Sequence, residues 1–195
     1  MTALLRDAPA PPVPIYDACV LYGDQLRHLL IELAAAGIVH ARWTDRIEAE
    51  WTANLIRNRP DLESRVARVG DAMRRAVVNA TVTGYERHLE AIRLVATGDR
   101  HVLAAAIEAK ASVIVTANVK HFPERELRSH GIKAMHPDPF VVSLIQRDPR
   151  GVSDAAERPR ARLRHPAMTW TEYVVSLGKA RLADAAGELD RHREK

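Results

Sequence analysis

Four polar residues are the candidates for chemistry in this sequence: Asp17, Glu50, Asp99 and Asn118. Asp17 interrupts the apolar run VPIYDACVLY, and a carboxylate in such a run is costly to bury unless it is paired or binds a metal. Asn118 follows a β-branched run that ends in Thr116. Carboxylate and amide oxygens are ligands that suit Mg²⁺ or Mn²⁺. A divalent cation held by such residues can activate water and orient a phosphodiester.

Two of these residues, and three other polar residues, have simpler interpretations. Asp99 opens an alanine-rich helix, and the simpler interpretation is that it caps this helix by accepting amide hydrogen bonds. Glu50 borders the apolar stripe of its helix and fits a solvated helix face. Cys19 fits a small buried apolar residue, while His101 and His121 fit ordinary surface or capping positions. No local spacing rule joins the acids, so only the fold can bring them together.

Composition narrows the class of protein. The chain has 195 residues and one cysteine, which rules out an internal disulfide. It lacks the roughly 20 consecutive apolar residues of a membrane span and the N-terminal pattern of a signal peptide, so a cytoplasmic location is expected. No HExxH, CxxC, GxGxxG, GxxxxGK[ST] or GxSxG motif is present. The net charge of +4 lies mostly in residues 147–195, which favours either a polyanionic partner or a solubilising surface.

Periodicity predicts an α/β fold with a mainly parallel sheet. The expected strands lie at residues 13–22, 112–117 and 132–135. Helices are expected at residues 24–37, 45–56 with Thr44 as N-cap, 61–79, 85–96, 99–111 and 169–190. The polar, proline-containing stretch 146–166 predicts a linker or irregular arm. In a parallel sheet, sites form beyond the carboxyl ends of the strands, where Asp17 and Asn118 are placed.

Four segments in order, YDACVLY, RWTDRIEAEW, GDRHVLAAA and VIVTANVKHF, resemble the motifs of the PIN-domain family. The match is closest to its VapC-like branch, the ribonuclease toxins of bacterial toxin–antitoxin pairs. The resemblance covers residues 13–145, after an N-terminal tail at 1–12. Residues 146–195 would form a basic linker and a C-terminal helical extension, which HPAMTWTEYVVSLGKARLADAAGEL resembles in one subgroup. The implied fold is a three-layer α/β/α sandwich around a parallel sheet.

The resemblance also implies a site and a reaction. Asp17, Glu50 and Asp99 match acids that bind Mg²⁺ or Mn²⁺ at one end of the sheet. Asn118 stands where family members carry Asp or Asn and would orient a water or ligand. Thr116 would support that loop, and His121 is the other supporting residue. The implied activity is metal-dependent endonucleolytic hydrolysis of RNA, with transfer RNA and ribosomal RNA both as candidate substrates. A cognate antitoxin protein and a homodimer are the implied partners.

Two features depart from the family pattern. The stretch LVATGD at residues 94–99 carries one acid where further acids are expected at 96 and 98, and His121 stands where many members carry Asp. Fewer carboxylates should weaken metal binding. A second interpretation is therefore a PIN-fold protein that binds RNA or a partner but barely cleaves. A third is a metal-dependent nuclease that acts on DNA.

The basic tail adds a candidate RNA-binding surface. Its arginines alternate with other residues, and a spacing of two places side chains on one face of an extended strand. These residues are Arg158, Arg160, Arg162 and Arg164. Their alternative interpretation is a solvated linker.

Overall fold

The structure is a computed structural model that describes residues 10–94, 96–162 and 167–193. Three short strands form a parallel sheet in the order β1-β2-β3. They are β1 (Pro14–Tyr16), β2 (Val113–Val115) and β3 (Lys133–Met135). Ile15 pairs with Ile114, which in turn pairs with Ala134. The α/β class and the parallel sheet predicted from the sequence are confirmed.

Most of the described chain is helical. The α-helices in order are α1 (Ala18–Tyr22), α2 (Asp24–Ala35), α3 (Asp45–Asn58), α4 (Glu63–Ala76), α5 (Arg100–Glu108), α6 (Glu124–Leu127), α7 (Pro137–Arg147), α8 (Pro149–Arg162), α9 (Trp170–Lys179) and α10 (Ala183–Arg193). Short 3₁₀ helices occur at Pro60–Leu62, Tyr85–Ala91, Thr97–Asp99, Val119–His121 and Arg128–His130. No helix within these described ranges is long and apolar enough to cross a bilayer.

Local sequence signals explain several element boundaries. Thr44 is the N-cap of α3, as predicted, and its side chain accepts a hydrogen bond from the Ile47 amide at 3.1 Å. Ile47 and Trp51 are fully buried, one turn apart on the inner face of α3. The apolar run at 13–22 does not form one strand. It divides at Asp17, which ends β1 and caps α1.

An additional extended segment lies beside β1 and was not predicted. Ile15 bridges Arg42, and Trp43 bridges Thr81, both in parallel orientation. The Tyr16 amide donates to the Arg42 carbonyl at 2.9 Å. The bridge to Arg42 adds pairing to β1, and Trp43 is buried in the core with no exposed surface.

Two predicted helices have a different form. The segment expected at 85–96 is a 3₁₀ helix over Tyr85–Ala91 that follows Gly84 with φ of 76°, a conformation that favours glycine. The segment expected at 169–190 is two helices, α9 and α10, separated at Arg181 with φ of 65°. The helical period continues across this break, so periodicity alone does not reveal it.

The predicted irregular arm at 146–166 is wrong for most of its length, because residues 149–162 form helix α8. Pro149 is its first residue, a position where the missing amide hydrogen is not needed. The buried side chains of α8 follow a helical stripe: Val152, Ala155, Ala156 and Pro159. Residues 163–166 lie outside the described residues.

The C-terminal helices share one hydrophobic core with the sheet region. Ile15 of β1 and Leu189 of α10 belong to the same cluster of buried apolar residues. Helix α8 packs against α2, and Asp138 of α7 accepts hydrogen bonds from the first amides of α10, including Ala185 at 2.8 Å. Packing is therefore continuous across residue 145. The domain boundary predicted there stays a prediction.

Candidate active site

Asp17 lies at the carboxyl end of β1 and is almost completely buried, with 5% of its surface exposed. One carboxylate oxygen accepts from the Ala18 amide at 2.7 Å. The other accepts from the Thr116 hydroxyl at 2.6 Å and from the Cys19 thiol at 3.2 Å. These donors stabilise a negative charge in a place where burial alone would oppose it.

Thr116 joins the ends of two neighbouring strands. It follows β2, has no exposed surface, and donates its only hydroxyl hydrogen to Asp17. The same oxygen accepts from the Asn118 amide at 3.0 Å. Thr116, predicted as a supporting residue, thus lies between Asp17 and the Asn118 backbone. Asn118 is exposed, and its side chain does not cap the 3₁₀ turn that follows it.

Glu50 lies on α3, with about a third of its side chain exposed, and it contacts two neighbours. Its Oε1 accepts from Arg46 Nε at 3.2 Å and lies 3.0 Å from His101 Nε2. Burial raises the pKa of Glu50, the nearby Arg46 lowers it, and the charges of Asp17 and Asp99 raise it further. Glu50 is thus not only a solvated helix residue. Its charge is coupled to those of both other candidate acids.

His101 was not among the predicted site residues, and its expected surface position is wrong. It belongs to α5 and is 1% exposed. Burial, with the nearby Arg46, lowers the pKa of His101 to about 4, so the ring is neutral near pH 7. Because the neutral ring has one N–H, the contact with Glu50 assigns that hydrogen to Nε2. Its Nδ1 is buried without a hydrogen-bond partner among the described residues.

Asp99 pairs with His121 instead of capping its helix. Asp99 occupies the N-cap position of α5, but its side chain makes no capping hydrogen bond. Its Oδ2 lies 2.7 Å from Nδ1 of His121, and both side chains are about one-third exposed. The capping interpretation of Asp99 is therefore wrong. The sequence predicted His121 as a supporting residue, and the structure places it directly against a candidate metal ligand.

The donor set fits a divalent cation by type, though not as a preformed cage. The charges of Asp17 and Asp99 influence the pKa of Glu50 and that of His101, so the three carboxylates are close enough to interact electrostatically. Within the described residues, however, no group of three or more His, Cys, Asp or Glu side chains is arranged to hold an ion. Glu50 contacts Arg46 and His101 through Oε1, and Asp99 contacts His121 through Oδ2.

Cys19 differs from its expected apolar role. It is half-buried, and its sulfur accepts from the Ala117 amide at 3.2 Å besides contacting Asp17. Burial and the Asp17 charge raise the pKa of the Cys19 thiol to about 11. A thiol in this state is a poor nucleophile. Cys19 therefore serves the candidate site as a hydrogen-bond partner of Asp17.

The tail arginines do not form the extended surface predicted from their spacing. Three of them lie on α8, where residues two apart differ by about 200° in direction. Arg160 bonds Glu157 at 2.7 Å and the Met168 carbonyl at 2.7 Å, and Arg162 pairs with the buried Glu32. Arg158 is exposed, and Arg164 lies outside the described residues.

Two signals in the sequence could have found the missed residues. Arg46 and Glu50 are four positions apart on one helix, the spacing of an ion pair. His101 stands in α5 within a run of buried residues that continues to Ala106. A histidine in a fully apolar helix segment is expected to be buried and to need a polar partner.

Asp17 and Thr116 lie at the ends of two neighbouring strands, and the charge of Asp17 acts on Glu50 of α3. These features define an α/β protein with a candidate acidic active site. Residues 137–191 match the family model of the VapC50 C-terminal domain. A segment of 47 residues is 59% identical to a protein of Mycobacterium tuberculosis named "Putative ribonuclease VapC50". That segment covers 24% of this chain and 28% of the relative, so the match spans less than a third of the relative's length. No solved structure matches the chain.

Proposed function

We propose that the protein is a metal-dependent endoribonuclease with a PIN-type catalytic region, acting as the toxin of a toxin–antitoxin pair. The observation that carries the proposal is the hydrogen bond from Thr116 to Asp17, which joins two strand ends beside Glu50 and Asp99. The similarity of residues 137–191 to the VapC50 C-terminal domain supports the same function from a separate part of the chain. The three-layer PIN arrangement and the cytoplasmic location remain part of this proposal.

In this proposal the ion is Mg²⁺ or Mn²⁺, held by Asp17, Glu50 and Asp99. A bound divalent cation supplies an activated water and neutralises charge that develops on the phosphate. Asn118 is exposed beside this space and orients a water or the substrate. The carboxylates repel one another, and that repulsion favours occupancy by a cation.

Other residues hold the acids in place. Thr116 and the Ala18 amide fix the orientation of Asp17. Neutral His101 donates through Nε2 to Glu50 and limits its rotation. His121 holds Asp99 away from the amides of α5. Because Asp17 and His101 are almost fully buried, the contacts of these two residues are shielded from water and are stronger than equivalent surface contacts.

The test is cleavage of total cellular RNA by the purified protein with Mg²⁺ or Mn²⁺, read out as mapped 5′ ends. Discrete cuts are expected for the native chain, and both Asp17→Asn and Asp99→Asn should abolish them. Asp99 is partly exposed, so its variant tests chemistry with little risk to folding. Asp154→Asn, an exposed acid on α8, is the matched control and should cut normally. Equal cutting by all variants would refute the proposal.

A second candidate is a PIN-fold protein that binds RNA or a partner but cleaves weakly. The contact between Asp99 and His121 favours it, since a candidate ligand is engaged by a residue that stands where the family pattern has an acid. Titration with Mn²⁺ separates the two candidates. Saturable binding that Asp99→Asn removes supports the enzyme, whereas undetectable binding by folded protein favours the binding protein.

The antitoxin, the RNA substrate and the homodimer belong to the same proposal. Light scattering of the purified chain measures the oligomeric state directly. An antitoxin is expected to suppress the RNA cuts when both proteins are mixed.

A further inference from the structure

A positively charged side chain lies among the candidate acids. Arg46 is the second residue of α3, and its Nε donates to Oε1 of Glu50 at 3.2 Å. His101 Nε2 lies 3.0 Å from the same oxygen. After burial, the nearby Arg46 charge is the strongest influence that lowers the pKa of His101. Asp17 and Asp99 act on the same ring, so Arg46 shares the electrostatic environment of the acid cluster.

The terminal amino groups of Arg46 are available to a ligand. Half of the Arg46 side chain is exposed to solvent. Its contact with Glu50 uses Nε, and neither Nη group forms a hydrogen bond or ion pair within the ranges 10–94, 96–162 and 167–193 that the structure describes. The two Nη groups form a planar fork that matches two oxygens of a phosphate. Arg46 can therefore hold Glu50 and bind a phosphate at the same time.

The pair of Arg46 and Glu50 is poorly placed to stabilise its helix. Arg46 lies in the first turn of α3, where the helix dipole favours acids such as Asp45 and Glu48 and opposes a cation. The arginine also precedes the glutamate, which is the less favourable order for a pair four residues apart. Exposed pairs of this kind contribute little to folding. Helix stability alone therefore does not explain a cation at this position.

We propose that Arg46 binds a phosphate of the RNA substrate through its two Nη groups, beside the acid cluster. A phosphodiester that approaches Asp17, Glu50 and Asp99 is repelled by their charges. A guanidinium next to these acids offsets part of that repulsion and holds the phosphate near them. The inference rests on the proposed function for the identity of the substrate. The contact itself requires neither cleavage nor a metal ion.

A phosphate contact has a recognisable effect on binding. It fixes the position of the strand and does not read its sequence. Arg46 should therefore contribute about equally to the binding of different single-stranded RNAs. In this role Arg46 touches the substrate, whereas Thr116 and His101 only position the acids.

The test measures the affinity of full-length Asp99→Asn protein for a fluorescent single-stranded RNA of about 10 nucleotides. EDTA is present, which prevents metal-dependent cleavage. Adding Arg46→Gln should weaken binding about tenfold and make the slope of log K against log salt shallower by about 0.7, the value for one phosphate of a single strand. Arg46→Lys keeps the charge but loses the fork, and it should weaken binding by about threefold or more.

Arg128→Gln is the matched control in the same protein. Arg128 also pairs with a glutamate four positions away, Glu124 at 3.0 Å, and both side chains are exposed. Arg128 contacts none of the candidate acids within the part of the chain that the structure describes. Its variant should keep the affinity and the salt slope of the parent protein. Thermal unfolding of each variant checks that a change in affinity does not come from loss of the fold.

Several outcomes would overturn the proposal. Parental affinity in the Arg46→Lys variant would show that only the long-range charge matters. Parental affinity or an unchanged salt slope in Arg46→Gln would show that no phosphate is bound there. Equal losses for Arg46→Gln and Arg128→Gln would also refute a specific contact.

Cleavage assays without the Asp99 substitution separate this proposal from the proposed function. If the native chain cuts RNA but Arg46→Gln lowers only kcat and leaves the affinity in EDTA unchanged, Arg46 acts through Glu50 and the phosphate contact is refuted. If the native chain makes no cuts but Arg46→Gln and Arg46→Lys weaken RNA binding as expected, the contact is supported and only the nuclease function is lost.

Discussion

The acid cluster and the C-terminal helices are built by opposite means. The cluster consists of residues from distant parts of the chain, joined by hydrogen bonds such as that from Thr116 to Asp17. The helices from 137 onward are joined mainly by apolar packing, with Leu177 and Leu189 fully buried. The family match falls on the second region, whereas the candidate chemistry falls on the first. In this chain, therefore, the region that resembles the family model is not the region that carries the candidate active site.

The largest expected effect concerns packing. Leu177→Ala should lower the free energy of unfolding by about 2–5 kcal/mol, because it removes a buried side chain and leaves a cavity. Denaturant unfolding measures this change, and a single transition is expected because both regions share one core. Val175→Ala on the same helix is the control, since Val175 is 52% exposed. A separate early transition for the C-terminal helices would show that they do not unfold cooperatively with the sheet region.

The next effect concerns the polar cluster. Thr116→Val keeps the shape of the side chain but leaves the Asp17 carboxylate and the Asn118 amide each without one partner. The expected loss of stability is about 1–3 kcal/mol, with RNA cleavage reduced at least about tenfold. Thr116→Ser retains the hydroxyl and should restore most of both properties. Equal behaviour of the valine and serine variants would show that the hydroxyl has no role.

His101 offers a test of positioning. His101→Phe should lower kcat for RNA cleavage by about tenfold, because Glu50 loses its buried donor. His101→Gln can donate from nearly the same place and should recover much of kcat. A change confined to KM, or no recovery with glutamine, would argue against the positioning role.

The same histidine predicts a pH dependence of stability. Its pKa falls to about 4 in the folded chain and is about 6.5 when unfolded, so the unfolded state takes up the proton first as the pH decreases. Stability should therefore decrease as the pH falls from about 6.5 to about 4 and show no further His101 contribution below that. Urea unfolding across this range measures it, and His101→Gln should have a flatter profile.

The smallest effect concerns an unsatisfied hydroxyl. Tyr173 is fully buried on α9, and its hydroxyl has no partner among the described residues. Tyr173→Phe should change the free energy of unfolding by no more than about 0.5 kcal/mol, or should raise it. A loss above about 1 kcal/mol in thermal unfolding would reveal a hydrogen bond to water that matters for packing.

Local signals predicted the elements well where one residue decides the structure. Thr44 capped α3 as expected, and the β-branched run gave β2. Helix α8 was not predicted, because prolines in a polar stretch are typical of a linker. Pro149 starts the helix, and Pro159 packs on its buried face, so both are compatible with helix here.

The candidate site was only partly predictable, for a physical reason. Which partner a side chain bonds depends on distances in the folded protein, and the spacing of residues in the sequence does not give those distances. Asp99 had helix amides and His121 within reach, and it bonds His121. His101 was missed because its burial arises from the packing of α5 on the sheet and on the helices around it.

The hydrogen bond between Asp17 and Thr116 also limits how early during protein synthesis the acid cluster can form. The two residues are 99 positions apart, and ribosomes add about 5–20 residues per second. Roughly 5–20 s of synthesis therefore pass after Asp17 is made before its partner exists. During that interval the nascent chain carries Asp17 without the hydroxyl to which it bonds, so the candidate site can be completed only late in translation.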